Sequence, residues 1–162
     1  MEAITTRTTA RKPLNITVQT TSTMILPPLA GTLDNTAVDE FEAAAAYVYG
    51  DVVRAGTRYY WCITTAGGNA GATTPVHTDG DASDGTLVWR HIPWGRPTLS
   101  IVNTGTKTVG IARGFAAEAG KGIVLNTNGA HNEGYESGPR PYEGAWYAIA
   151  SGGTTTLALA EG

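Results

Sequence analysis

This 162-residue chain is expected to fold as an all-β protein: an antiparallel β-sandwich, jelly-roll-like, interrupted by a small three-stranded β module. Three observations predict it. Glycine is abundant, at 21 residues, and only 15% of residues are charged, a palette suited to short strands joined by tight turns. Apolar residues alternate over short stretches, as in Leu14-Asn15-Ile16-Thr17-Val18, where Leu14, Ile16 and Val18 share one strand face. From Tyr47 to Ile92 the composition turns aromatic, in AYVYGDVVRAGTRYYWC and then PVHTDGDASDGTLVW.

Taken in order, residues 1–13 hold few apolar side chains, with Arg7, Arg11 and Lys12 against Glu2, and read as an extended N-terminal arm. A base domain is assigned to residues 14–33 and 96–162, and an inserted domain to residues 34–95. Pro27 and Pro28 end the pairing of the first base segment, because proline offers no ladder donor. After the insert, Pro97–Asn103 and Lys107–Ala112 read as a hairpin turned at Asn103-Thr104-Gly105-Thr106. Gly122–Asn126 is a further short strand, and Gly144–Ala150 with Thr154–Leu159 reads as a closing hairpin around Ser151-Gly152-Gly153. The polar stretch from Thr127 to Glu143 is long enough to suggest a contact loop.

Within the insert, Gly50 supplies a turn into Asp51-Val52-Val53, and Ala55-Gly56-Thr57 turns the chain back into Arg58–Ile63. On that return strand Tyr59, Trp61 and Ile63 point one way, and Arg58, Tyr60 and Cys62 the other. So small a module is expected to leave some of Tyr49, Tyr59, Tyr60, Trp61 and Trp89 partly exposed. Asp39–Ala46 fits a short helix, with acids early and alanines late, or an extended lead-in equally well. Charge is segregated. Residues 34–95 carry three arginines against eight acids, a net −5, and the remainder eight basic and six acidic residues, a net +2.

The composition excludes several classes. Nothing approaches the roughly 20 apolar residues of a membrane span, and the N-terminal stretch lacks the apolar run of a secretory signal. The single Cys62 rules out an internal disulfide and suits synthesis in a reducing cytoplasm. A net charge of −3, with no basic stripe, gives no basis for nucleic-acid binding. His77, His91 and His131 are isolated and without zinc-ligand spacing, so no metal or other cofactor is expected. Asp79–Gly85 has oxygens at alternate positions, but its glycine is misplaced for a calcium loop and no glutamate closes it. No paired carboxylates, nucleophile elbow or phosphate loop is present, so the chain does not read as an enzyme.

Two resemblances rest on specific residues. Ala46-Tyr47-x-x-Gly50-Asp51-Val52-Val53, the Gly56 turn, Tyr59 or Tyr60 and then Cys62 resemble the small chitin-binding-type carbohydrate-binding modules. Pro75-x-His77-Thr78-x-Gly80, then Asp84-Gly85-Thr86-x-x-Trp89, is similar to the version of that module in bacteriophage tail and head-fibre proteins. This likeness covers about a third of the chain and implies sugar-stacking roles for Tyr60, Trp61 and Trp89. The bottom-up alternative is that these rings fill a minimal core.

The base resembles small virion structural proteins that decorate phage capsids or tails. The likeness rests on R-x-x-L-x-I-x-N-x-G (Arg96, Leu99, Ile101, Asn103, Gly105), G-x-G-I-x-L (Gly120, Gly122, Ile123, Leu125) and the A-I-A-x-G-G-T segment from Ala148. It implies a capsid decoration, or cement, protein on the virion surface, with the major capsid protein as partner and a homotrimer as assembly. Arg7, Arg11 and Lys12 of the arm are the candidate contact residues. The alternative it leaves open is a tail or head adhesin that binds host glycans through the insert.

Overall fold

Strand β1 (Leu14–Val18) takes the predicted register, with Leu14, Ile16 and Val18 buried and Asn15 and Thr17 exposed. The computed structural model describes residues 11–134 and 141–162. The remaining base strands are β2 (Thr23–Leu26), β9 (Thr98–Asn103), β10 (Val109–Arg113), β11 (Ile123–Leu125), β12 (Ala130–Gly134), β13 (Trp146–Ala150) and β14 (Thr155–Glu161). They form two antiparallel four-stranded sheets, ordered β1-β14-β9-β12 and β11-β10-β13-β2. Counting only base strands, the orders are 1-8-3-6 and 5-4-7-2, which is jelly-roll wiring. The all-β sandwich read from the sequence is therefore the fold, and the insert leaves between the second and third base strands.

Two expected hairpins are replaced by arches between sheets. β9 pairs with β12 and β14, whereas β10 pairs with β11 and β13, so residues 104–108 carry the chain across the sandwich. The closing pair divides likewise, β13 in one sheet and β14 in the other. Hairpins and arches use the same Gly- and Asn-rich turn chemistry, and alternation does not say which sheet the returning strand joins.

Asn103 locks the first arch. Fully buried, its amide donates to Lys107 O at 2.7 Å and Leu125 O at 3.0 Å, while its Oδ1 accepts from Gly105 N at 3.2 Å. Asn103→Ala is expected to cost about 1–3 kcal/mol for each buried carbonyl left unpaired. Urea unfolding checks this, and an unchanged midpoint would remove Asn103 from the arch.

The stretch from Thr127 to Glu143 is not one long loop, because β12 lies inside it. His131 and Glu133 of β12 face Ile101 and Leu99 of β9. Strand formation here overrides a polar sequence because β9 would otherwise present an unpaired edge. On the outer face of the β10 sheet, residues 114–122 form a strap. Ala117 N donates to Ser22 Oγ at 2.7 Å, and a Cβ on Gly110 would stand 2.9 Å from Glu118 O. Only glycine lets the strap lie that close.

The insert contributes β3 (Ala46–Tyr47), β4 (Val52–Ala55), β5 (Arg58–Cys62), β6 (Gly68–Asn69), β7 (Asp81–Asp84) and β8 (Leu87–Ile92). Its main sheet is four-stranded, ordered β4-β5-β8-β7, with β3 and β6 as a separate pair, so the three-stranded expectation was one strand short. The unforeseen strand is β7, whose Asp-Ala-Ser-Asp sequence has no strand pattern. Its partner β8 holds it in register, Asp81 opposite Arg90 and Asp84 opposite Leu87. Asp39–Ala46 is not helical: it pairs with β4 at its start and turns at Ala43-Ala44. Arg54 N donates to Asp39 O at 2.8 Å and Phe41 N to Arg54 O at 2.7 Å, so β4 takes the bonds a helix would have used.

Candidate functional site

The aromatic insert is where sequence reasoning places binding, and its two faces explain what the rings do. Tyr59 and Trp61 of β5 and Ile92 of β8 join the sandwich core, in one cluster with Ile16, Leu26, Leu99, Ile111, Trp146 and others. Tyr60, Cys62, Leu87 and Trp89 form a second cluster on the opposite face, closed by Phe41 and Tyr47 from the lead-in. The two sides of β5 are as predicted, Tyr59, Trp61 and Ile63 lying in one cluster and Tyr60 and Cys62 in the other.

The exposure is not. Tyr60, Trp61 and Trp89 are 0%, 1% and 0% exposed, so none of the three offers a ring face for a sugar to stack on. Of the five rings expected to be in part exposed, Tyr49 is half-buried, while Tyr59, Tyr60, Trp61 and Trp89 are covered, because the base lies over one side of the sheet and residues 41–47 fold over the other. Trp89 meets Tyr47 edge-on at 5.0 Å and Phe41 at 5.9 Å, and Trp61 meets Tyr49 at 5.7 Å. Tyr49 in turn donates to Met24 O of the base at 2.8 Å, and burial pushes its phenol well above the usual range. Among the described residues the exposed aromatics are instead Trp94 at 64% and Phe115 at 67%, both in connections rather than strands. Pro93 and Gly95 around Trp94 were the available signal, since that spacing removes the residue from any ladder.

The arm residues also fall differently. Arg7 lies outside the described residues. Arg11 and Lys12 are not a free arm: Arg11 N donates to Glu161 O at 3.1 Å, and its Nη2 to Gly95 O at 2.8 Å. Burial lowers the Arg11 pKa, Arg96 and Arg90 add to that, and Glu161 and Asp79 oppose it. Lys12 pairs with Asp81 at 3.1 Å, and its carbonyl accepts from Arg90.

These contacts belong to a charged seam between base and insert. Arg90 Nη1 reaches Asp81 at 2.8 Å. Arg96 pairs with Glu161, their side chains 1% and 6% exposed, and donates to Tyr142 O at 2.9 Å. The outgoing and returning connections touch, Ala30 N donating to Pro93 O at 2.9 Å, as an insertion requires. Asp81 and Asp84 of the acidic turn are thereby accounted for, one in the seam and one accepting from Gly71 N at 2.9 Å.

A second polar cluster sits at the β12 edge of the sandwich. Glu133 accepts from Tyr142 N at 2.7 Å, meets His131 Nε2 at 3.1 Å and pairs with Arg113, whose guanidinium lies 5.1 Å from the Trp146 ring centre. Burial alone would raise the Glu133 pKa; the Tyr142 amide, His131 and Arg113 outweigh it and hold the carboxyl low. Its oxygens are occupied by these partners, and Glu136 lies outside the described residues. Among the described residues no group of three or more His, Cys, Asp or Glu side chains could hold a metal ion. No described helix is long and apolar enough to cross a membrane. No family model, curated protein or solved structure matches this chain.

Proposed function

We propose that this protein is a structural component of a bacteriophage virion, a decoration or cement protein that binds the outer surface of the capsid as a homotrimer. The observation that carries the choice is the use of the insert's aromatics. Tyr60, Trp61 and Trp89 are consumed in packing, one cluster being continuous with the sandwich core, so the insert is built as a structural extension of the base. An adhesin would have kept such rings at the surface. Jelly rolls recur in viral capsid proteins and in lectins alike, so the fold is compatible with either reading and decides neither.

The remaining support is the resemblance of the base to small virion proteins, together with the charge division between an acidic insert and a slightly basic remainder. Strands β1 and β2 each stand at one end of a sheet, where a neighbouring chain could add a strand. The alternative, a glycan-binding adhesin, retains Trp94 as its exposed indole.

Co-sedimentation with undecorated capsids tests the proposal, comparing the full chain with a form lacking residues 1–10. Deletion stops at residue 10 because Arg11 and Lys12 hold the seam. Saturable binding that weakens on deletion is the expected result. Absence of binding by both forms, with glycan-array binding abolished by Trp94→Ala, would transfer the protein to the adhesin class.

A further inference from the structure

On the face of the insert sheet opposite the sandwich, two imidazoles meet around one tyrosine. The Tyr60 ring centre lies 4.8 Å from that of His77 and 5.8 Å from that of His91, and the two histidines are 6.5 Å apart. His91 stands directly opposite Tyr60 in the β5–β8 register. His77 comes from residues 71–80, a stretch with no regular secondary structure between β6 and β7.

The stretch is anchored at its start by Gly71, whose N donates to Asp84 at 2.9 Å and whose O accepts from Ala44 N at 3.1 Å. Tyr60 donates its hydroxyl to His77 O at 2.9 Å, Arg58 Nη1 donates to Val76 O at 3.2 Å, and His91 N donates to Gly80 O at 3.0 Å. Pro75 is buried, but Val76 is 70% exposed, so apolar burial adds little. Both ring nitrogens of His77 are enclosed and make no hydrogen bond of good geometry, the carbonyls of Trp89 and Gly80 being their polar neighbours. A neutral imidazole tolerates such a place far better than a charged one.

We propose that His77 and His91 form a proton-operated latch: neutral, they seat residues 71–80 on Tyr60, and charged, they release them.

The groups facing the pair come from every neighbouring element. Around His77, burial disfavours the charged form and Arg58 of β5 adds to that. The carbonyls of Trp89 and Gly80 and the carboxylate of Asp81 oppose them and lose, so the His77 pKa lies below its usual value. Around His91, burial is again the largest influence, followed by His77, Arg11 and Arg58, with Asp79 opposing, and the result is also a lowered pKa. A histidine depressed in the seated state regains its ordinary value, about 6.5, on release. The released state then binds more protons, so seating is at full strength above that pH and weakens as the pH falls below it. The consequence reaches the seam, because a Cβ on Gly80 would rest 3.6 Å from Lys12 Cβ.

The test is an NMR titration of the imidazole C–H signals in the full chain, from about pH 8 to about pH 5, spanning the ordinary histidine range. Amide exchange of residues 71–80, corrected for its intrinsic pH dependence, is followed alongside. Both histidines are expected to titrate below 6.5, and segment opening to rise by up to about tenfold per histidine for each pH unit below that value. The double variant H77Q/H91Q should lose that rise. Titration midpoints at or above 6.5, or the same rise in the double variant, would overturn the latch. Should the double variant fail to fold, the wild-type midpoints decide.

Discussion

Replacing Trp61 with alanine is expected to lower the unfolding free energy by about 3–5 kcal/mol, the range for deleting a buried aromatic, and to lower it for base and insert together. Trp61 is 1% exposed and belongs to the same core as Leu14, Ile101, Trp146 and Leu157. Removing its indole opens a cavity where the two parts meet, and the atoms lining that cavity come from both. Denaturant unfolding, followed by tryptophan fluorescence and far-UV circular dichroism, should give coincident curves at a lower midpoint. Two separated transitions, with the base transition unmoved, would show that the insert is an independent module. Trp89→Ala serves as the comparison. Its ring packs against Phe41 and Tyr47 in the second cluster, so the loss there should be felt first in the lead-in and the insert sheet.

The second large effect is expected at the seam. Arg96→Ala leaves Glu161 buried without its cation and Tyr142 O without its donor, a loss of about 3–5 kcal/mol by the usual cost of breaking a buried ion pair. The pair itself need not be net stabilising. Desolvating both charges consumes much of what their attraction returns, so Arg96→Met combined with Glu161→Leu should recover most of the stability lost in the single variant. A double-mutant cycle measures this directly. A single-variant loss below about 1 kcal/mol, typical of exposed pairs, would contradict the burial of the pair.

How much of this was legible beforehand differs by element. Leu14–Val18 could be read to the residue because strict alternation has one structural meaning when one face is buried. The same logic gave the correct sidedness of Tyr59, Tyr60, Trp61 and Cys62. β7 was missed because its four residues carry no apolar pattern and owe their conformation to the free edge of β8. Asp39–Ala46 was ambiguous because helix preference in eight residues is worth less than two backbone bonds to Arg54.

The candidate site was less legible than the fold. That Tyr60, Trp61 and Trp89 matter could be seen, but whether a ring faces solvent or a neighbour depends on what lies over it. Phe41 and Tyr47 lie 48 and 42 residues before the Trp89 ring they cover, and Leu26 and Trp146, packed in one core with Trp61, lie 35 and 85 residues from it. Arg11 and Lys12 looked like an unattached arm for the same reason, since their partners Glu161, Gly95 and Asp81 lie far along the chain.

By itself, then, the sequence determined the all-β class, the inward face of Leu14–Val18 and the two faces of Arg58–Ile63, because these follow from local periodicity and turn chemistry. The tertiary structure decided which sheet each returning strand joined, which aromatics were covered and which charges were paired. Those outcomes rest on contacts between distant segments, and their energies exist only once the chain has brought the segments together.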